Sequence, residues 1–268
     1  WGSLELPYFS IPTTQVAPID FSTEIENVGY TDQTNTVLTV DVNGGTFVGN
    51  SAAVTVPVGG TDSIFTTTQY TPAAAVGAQA ITMTVAATNP DATPTNNVVI
   101  DSFEVVASTG QYGRDRGVVE GNGGGEDGGA AGSFGYEAGN VFDVFADQQV
   151  YGIDVVVGTL TPVGTIIFGK LYVYDANAGD YVYLDETAEY TTTQADADNN
   201  ETITLVFFTL PTLTAAEGIY YPMVGCYSEF YYGTSGESEE QTSWIMYPSA
   251  GGAGSQYYTT SSPMVRLN

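Results

Sequence analysis

Short runs of β-forming residues, separated by turn-forming residues, follow one another along almost the whole chain of 268 residues. Thr, Val, Tyr, Ile and Phe dominate the runs, and Gly, Pro, Asn or Asp interrupts them about every 8 to 12 residues. Almost no segment has the apolar repeat of a helix, and the best helical candidate is the short stretch Thr214–Glu217. The spacing therefore predicts an all-β fold of sandwich type.

The runs fall into two groups. The first ends with Val98–Val106 and has seven or so strands in roughly 108 residues, which is the size of one immunoglobulin-like sandwich. The second has eight or nine strands in about 155 residues, which favours a jelly-roll-like sandwich. We therefore predict two β-sandwich domains in tandem. Residues 1–108 form the immunoglobulin-like domain, and residues 109–268 form the jelly-roll-like domain with a Gly-rich loop at 121–135.

Cations are very scarce in this chain, since four Lys and Arg residues and no His stand against 31 Asp and Glu, for a net charge of -27. So few cations cannot neutralise many phosphates, so we expect no binding to nucleic acid. No apolar run is long enough to span a bilayer, so we expect no membrane insertion. A surface this acidic is typical of a protein exposed to salt outside the cell.

The absence of histidine removes the usual proton shuttle and the common serine and cysteine triads. We therefore expect no enzymatic activity and name no catalytic residue. A pair of carboxylates could still serve a glycosidase. In so acidic a chain this alternative does not point to particular residues.

Calcium is the cofactor that the composition favours most, because it binds six to eight oxygen ligands. Asp196, Asp198 and Asn200 alternate along a polar stretch and form our metal-site hypothesis. Asp175–Asp180 offers a similar set between two tyrosine-rich strands. The alternative for both stretches is ordinary turn chemistry, which for Asp175–Asp180 would be that of a hairpin.

Two further groups of residues stand out. Arg114 and Arg116 lie near the predicted domain junction, where they could bind carboxylates between domains or between subunits; the alternative is a pair of solvated loop arginines. Tyr227, Phe230, Tyr231 and Tyr232 form an aromatic cluster. Such side chains can stack on sugars, although cross-strand packing explains them as well. The single cysteine, Cys226, lies in an apolar run and is predicted to be a buried hydrophobe.

Several segments resemble a known family. Phe21–Gly29 and Val37–Gly45 resemble the immunoglobulin-like modules of surface proteins that Bacteroidota export through the type IX secretion system. Tyr112–Asp115, Tyr151–Val155 and Phe168–Tyr172 look like parts of a β-domain common in such proteins. The resemblance implies a secreted protein on the cell surface. It also implies a mature end at Asn268, from which a sorting domain has been cleaved. The motif Asp62–Ile64 resembles the short O-glycosylation motif of Bacteroidota, so the resemblance makes Ser63 a glycosylation site and the protein a glycoprotein.

These observations predict a non-catalytic extracellular structural protein. Two rigid sandwiches with many strand edges suit a subunit that associates with itself in a cell-surface filament or surface layer, because unpaired edges are templates for strand addition. The alternative is a carbohydrate-binding or adhesin module of a larger secreted protein, whose partners would be glycans.

Overall fold

The computed structural model describes residues 6–125, 135–236, 239, 241–249 and 252–268. Strands make up most of the regular structure, which confirms the predicted all-β fold. In the first part of the chain the strands are β1 (Ser10–Pro12), β2 (Ser22–Glu26), β3 (Gln33–Val42), β4 (Phe47–Asn50), β5 (Val54–Val56), β6 (Thr61–Phe65), β7 (Gly77–Ala86) and β8 (Val98–Val106).

The second part of the chain carries the remaining strands and one short α-helix. The strands are β9 (Gly121–Gly125), β10 (Tyr136–Asn140), β11 (Phe142–Asp143), β12 (Gln148–Gln149), β13 (Gly152–Val156), β14 (Ile166–Asp175), β15 (Asp180–Glu186), β16 (Tyr190–Thr191), β17 (Thr202–Val206), β18 (Thr212–Leu213), β19 (Ile219–Cys226), β20 (Phe230–Ser235), β21 (Ser243–Ser249), β22 (Gly252–Tyr258), β23 (Ser262–Pro263) and β24 (Val265–Leu267). The α-helix is α1 (Gln194–Asn199), and Thr13–Gln15 and Pro94–Asn97 form 3-10 turns.

The chain forms two compact units. The first contains the described residues up to Pro7 together with Val16–Val105, and the second contains Tyr8–Gln15 and Val106–Asn268. Strand β1 therefore belongs to the second unit, although in sequence it lies between the two segments of the first unit. No helix in the described part of the chain is both long and apolar enough to cross a membrane.

The first unit has one larger sheet with the strand order β8-β7-β3-β4, in which β5 also pairs with β3. A second sheet consists of β2 and β6. Burial alternates along β3, where Leu38, Val40 and Val42 are buried, because successive side chains of a strand point to opposite faces. Ile25 and Ile64 are buried on the smaller sheet.

The second unit contains an eight-stranded sheet. Its strands follow the order β15-β14-β19-β10-β21-β22, with β11 paired to β19 and β16 paired to β14. Smaller sheets have the orders β17-β13-β24, β23-β20-β9 and β12-β18. Ile167, Leu171 and Val224 on one face of the large sheet are fully buried, as are Ile153 and Val155 on β13. These side chains form the apolar core of the unit.

Two local predictions were wrong. The α-helix is not at Thr214–Glu217, which forms only a turn, but at Gln194–Asn199. Thr193 begins that helix because its side chain and that of Asp196 form a capping box.

The predicted Gly-rich loop begins as strand β9, which pairs with β20. The pairing needs glycine, because a Cβ on Gly123 would lie 2.3 Å from the ring of Tyr232. Residues 126–134 of that loop lie outside the described residues.

Candidate functional site

The face of the eight-stranded sheet opposite to the core carries a line of aromatic side chains. Strand register places Tyr183, Tyr172 and Tyr221 side by side on three adjacent strands, and it pairs Trp244 with Tyr258. We call the following set the aromatic belt: Tyr172 and Tyr174 on β14, Tyr181 and Tyr183 on β15, Tyr221 on β19, Trp244 on β21 and Tyr258 on β22.

Rings in the belt contact one another from one sheet edge to the other. The centroids of Tyr183 and Tyr172 lie 6.3 Å apart, those of Tyr172 and Tyr221 6.5 Å, those of Tyr221 and Trp244 6.4 Å, and those of Trp244 and Tyr258 4.2 Å. All four contacts are tilted or edge-on, which aromatic pairs prefer. The belt crosses six strands, a distance of about 24 Å at about 4.8 Å per strand.

Two local features of the sheet lie beside this line. Gly139 of β10 lies opposite both Met223 and Trp244, and a Cβ on it would lie 2.0 Å from the carbonyl oxygen of Pro222, so glycine lets β19 approach β10 closely. The register between β14 and β15 shifts by a bulge, so that Tyr183 and Glu186 both face the belt side.

The belt is only partly covered. Tyr183 and Tyr258 at its two ends are 51% and 52% exposed, and Tyr172 and Trp244 between them are half-buried. Tyr221 at the centre is buried, and its hydroxyl group has no hydrogen-bond partner among the described residues. Burial raises the pKa of Tyr221 well above its usual value. The belt thus offers ring surface to solvent at both ends of a continuous aromatic line.

A buried ion pair lies beside the belt. The carboxylate of Glu137 on β10 is 1% exposed; it accepts a hydrogen bond from Lys170 Nζ and another, of 2.7 Å, from the hydroxyl of Tyr172. Burial, and then the charge of Glu137, raises the pKa of Tyr172. The Lys170 side chain stays 26% exposed, and its Nζ lies 5.1 Å from the ring centroid of Phe168. A fixed polar group is therefore embedded in an aromatic surface.

Arg114 lies in a second polar cluster. Its side chain is 1% exposed, and its guanidinium lies 4.7 Å from the ring centroid of Tyr8. It donates to Glu239 over 3.1 Å and lies 3.9 Å from a carboxylate oxygen of Asp143. That oxygen also accepts from the Tyr8 hydroxyl, and burial raises the pKa of Tyr8 to about 12.

The contacts given above for Arg114 lie within the second unit, as does that of Arg116, whose guanidinium is 5.2 Å from the ring centroid of Phe9. The hypothesis that these two arginines act at a junction stays a prediction. The remaining arginine, Arg266, binds both carboxylate oxygens of buried Asp115 over 2.6 and 2.7 Å. All four cations of the chain belong to the second unit.

The candidate calcium ligands lie around helix α1. Asp196 uses one carboxylate oxygen to accept from the Thr193 N–H over 2.7 Å and from the Tyr190 hydroxyl over 3.0 Å. Asp198 accepts from Gln194 over 2.7 Å, and Asn200 adopts a left-handed conformation that ends the helix. In the part of the chain that the structure describes, no three acidic, His or Cys residues cluster as metal ligands would. Calcium binding at Asp196, Asp198 and Asn200 stays a prediction.

Other predicted residues have clear positions. Ser63 is exposed on β6 opposite Glu24, and its glycosylation stays a prediction. Cys226 is buried, as predicted. The proposed sugar-stacking cluster is divided, because Phe230 and Tyr232 are buried while Tyr227 is 56% exposed.

The belt was not among the sequence-based candidates. Part of the belt could have been found from the sequence, because tyrosines stand at every second position on both sides of the predicted hairpin turn at Asp175–Asp180, at 172 and 174 and at 181 and 183. The hairpin register pairs Tyr172 with Tyr183 and Tyr174 with Tyr181, so all four lie on the same face. Trp244 and Tyr258 lie too far along the chain for any local pattern to join them to the others.

Comparison with protein-family models and with curated proteins gives no match. Among solved structures, one similar chain comes from work on the promiscuous specificity of carbohydrate-binding modules of the β-sandwich superfamily, at 10% identity, a TM-score of 0.25, and coverage of 100% of this chain and 94% of that one.

A two-domain protein of unknown function from Bacteroides fragilis has 9% identity, a TM-score of 0.25, and coverage of 99% of this chain and 93% of that one. The serine-rich repeat adhesion glycoprotein of Streptococcus agalactiae has 8% identity, a TM-score of 0.19, and coverage of 97% and 92%. TM-scores this low carry no inference about function.

Proposed function

We propose that the second unit is a non-catalytic carbohydrate-binding module and that a glycan chain lies across the aromatic belt. The observation that carries this proposal is the continuous line of rings across six strands, exposed at both ends. Aromatic rings offer apolar faces to the C–H faces of sugars, while tyrosine hydroxyls keep a polar edge for sugar hydroxyls. The length of about 24 Å suits a chain of several sugars rather than a single one.

The ion pair beside the belt supports the same proposal. Sugars present both apolar and hydroxyl surfaces, so a site for them combines rings with a few fixed polar groups. Lys170, held in place by buried Glu137, supplies such a group next to Tyr172. A carbohydrate-binding role is consistent with a location outside the cell, which the acidic composition predicts.

The filament or surface-layer role stays a second proposal. The observation that favours it is that β15 forms one end of the strand path and carries exposed Val182 and Leu184, so its edge could template a strand from another copy. Ordered polymers of the purified protein in negative-stain microscopy would support that role, and monodisperse particles would contradict it.

Binding should depend on the exposed ends of the belt. A glycan array identifies ligands, and isothermal titration then compares variants. We expect Tyr258→Ala and Tyr183→Ala each to weaken binding about fivefold, because one ring contact contributes about 1 kcal/mol.

Tyr257→Ala is the matched control for Tyr258→Ala. Tyr257 is the preceding residue on the same strand and is 58% exposed, but it points to the opposite face and pairs with Ile245. Its replacement should leave affinity unchanged. Equal losses for both variants, or no bound glycan at all, would contradict the proposal.

A further inference from the structure

We infer that the glycan on the belt is an uncharged polysaccharide and that Lys170 donates hydrogen bonds to its hydroxyl groups. This inference rests on the proposed function and identifies the ligand class of the same site. Its evidence is the charge balance of the belt side and the position of one ammonium group within it.

The charge at Lys170 is already balanced. Glu137 is buried and binds Lys170 Nζ, so the pair presents no net positive charge to a ligand. Glu186, paired with Lys170 across β14 and β15, adds a half-buried carboxylate on the same face. A uronate or sulfate group would therefore meet no uncompensated cation at this position.

The surroundings repel anions further. Asp143 lies on the belt face beside Ile219 with its side chain 47% exposed, and Glu239, 48% exposed, shares the Arg114 guanidinium with it, so two carboxylates lie against this one cation. The whole chain carries a net charge of -27. Such a field lowers the local concentration of anionic polysaccharides and leaves uncharged ones unaffected.

Lys170 remains a donor. An ammonium group has three N–H bonds and no acceptor. Glu137 takes one of them, and the partial exposure of the side chain leaves the others facing the belt side. Hydroxyl and acetamide oxygens of uncharged sugars accept such bonds.

The position of Lys170 suits a ligand stacked on Tyr172. Lys170 and Tyr172 are two positions apart on β14, so their side chains point to the same face and start about 7 Å apart along the strand. Glu137 contacts both side chains and holds them in place. Groups fixed before binding lose little conformational entropy on binding, so the site is preorganised.

The test uses the full chain and named probes. Mixed-linkage β-glucan, xylan and N-acetylchitooligosaccharide are the uncharged probes, and polygalacturonate and alginate are the anionic ones. We expect the wild type to bind at least one uncharged probe, with an affinity unchanged between 50 and 500 mM NaCl, and to bind neither anionic probe.

Lys170→Met should then weaken binding of the uncharged probe about tenfold. Because Lys170→Met leaves a buried carboxylate without its cation, the double variant Lys170→Met/Glu137→Gln is the control for folding. The double variant keeps the site neutral and should show the same tenfold loss of affinity for the uncharged probe. Glu137→Gln alone leaves the lysine charge unbalanced and should raise affinity for polygalacturonate.

The outcomes separate the two proposals. Binding of the anionic probes alone would overturn the inference and leave the glycan-binding role standing. Wild-type affinity in the folded double variant would overturn the role of Lys170. A wild type that binds no glycan on the array removes the proposed function itself, and this inference with it.

Discussion

At the scale of single residues, hydrogen-bonding decides what each tyrosine of the belt contributes. The hydroxyl of Tyr172 donates to Glu137 over 2.7 Å, whereas the buried hydroxyl of Tyr221 has no partner among the described residues. A buried polar group without a partner costs about 1–3 kcal/mol. The hydroxyl groups of these two neighbouring tyrosines therefore have opposite effects on the free energy of unfolding.

We expect Tyr221→Phe to raise the free energy of unfolding by about 1 kcal/mol, because it removes the unpaired hydroxyl and keeps the ring. Tyr172→Phe is the control and should lower it, since Glu137 then loses a donor. Urea denaturation followed by fluorescence measures both. A Tyr221→Phe protein less stable than the wild type would show that the hydroxyl has a partner.

Among the elements, the segment Tyr8–Gln15 contributes to the second unit although in sequence it lies between the two segments of the first unit. Its backbone bonds to Gly113, with the Ser10 N–H donating over 3.1 Å. Gln15 is 1% exposed, and its amide donates to the carbonyl of Ala146 and accepts from the N–H of Phe145, each over 2.9 Å. No sequence pattern indicated that this segment belongs with residues more than a hundred positions away.

Gln15→Ala should lower the free energy of unfolding of the second unit by about 2 kcal/mol, because it leaves part-buried backbone groups of Phe145 and Ala146 without their partner. Thr14→Val provides the comparison, since the exposed Thr14 hydroxyl makes a single bond to Gln148 and its loss should cost under about 1 kcal/mol. Thermal unfolding of both full-length variants measures the difference. Equal midpoints would mean that the segment does not stabilise the unit.

At the scale of the whole molecule, the many buried tyrosines couple stability to alkaline pH. Burial raises the pKa of Tyr8 and of Tyr181 to about 12, and it raises those of Tyr112 and Tyr136 as well. In the unfolded chain a tyrosine has a pKa of about 10. The folded state therefore binds more protons than the unfolded state above pH 10.

Stability should accordingly be complete below about pH 10 and fall as the pH rises towards 12 and beyond, by about 1.4 kcal/mol per pH unit for each tyrosine ionised only on unfolding. Melting temperatures measured from pH 8 to pH 12 test this. Absorbance at alkaline pH should show a late, cooperative ionisation of the buried tyrosines. A melting temperature that stays constant from pH 8 to pH 12 would contradict the expectation.

Parts of the fold were predictable because they depend on neighbours in sequence. Strand Val98–Val106 has the predicted bounds, and the hairpin at Asp175–Asp180 forms as its turn residues indicate. There the Asp175 carboxylate accepts from the Asn177 N–H over 2.8 Å, which lowers the pKa of that carboxyl. The strand at Gly121–Gly125 was missed because glycine has no β preference of its own, and its pairing with β20 depends on distant rings.

The sequence alone determined the all-β class, the acidic character and the absence of histidine chemistry, because periodicity and composition are local or additive properties. Tertiary packing is what brings rings from five strands into one belt and places Lys170 against Glu137. Side chains on a strand alternate between two faces, so a shift of one residue in register moves every one of them to the other side. The hairpin turn at Asp175–Asp180 fixes that choice for β14 and β15, whereas the register of β19 and β21 depends on the packing of the whole sheet.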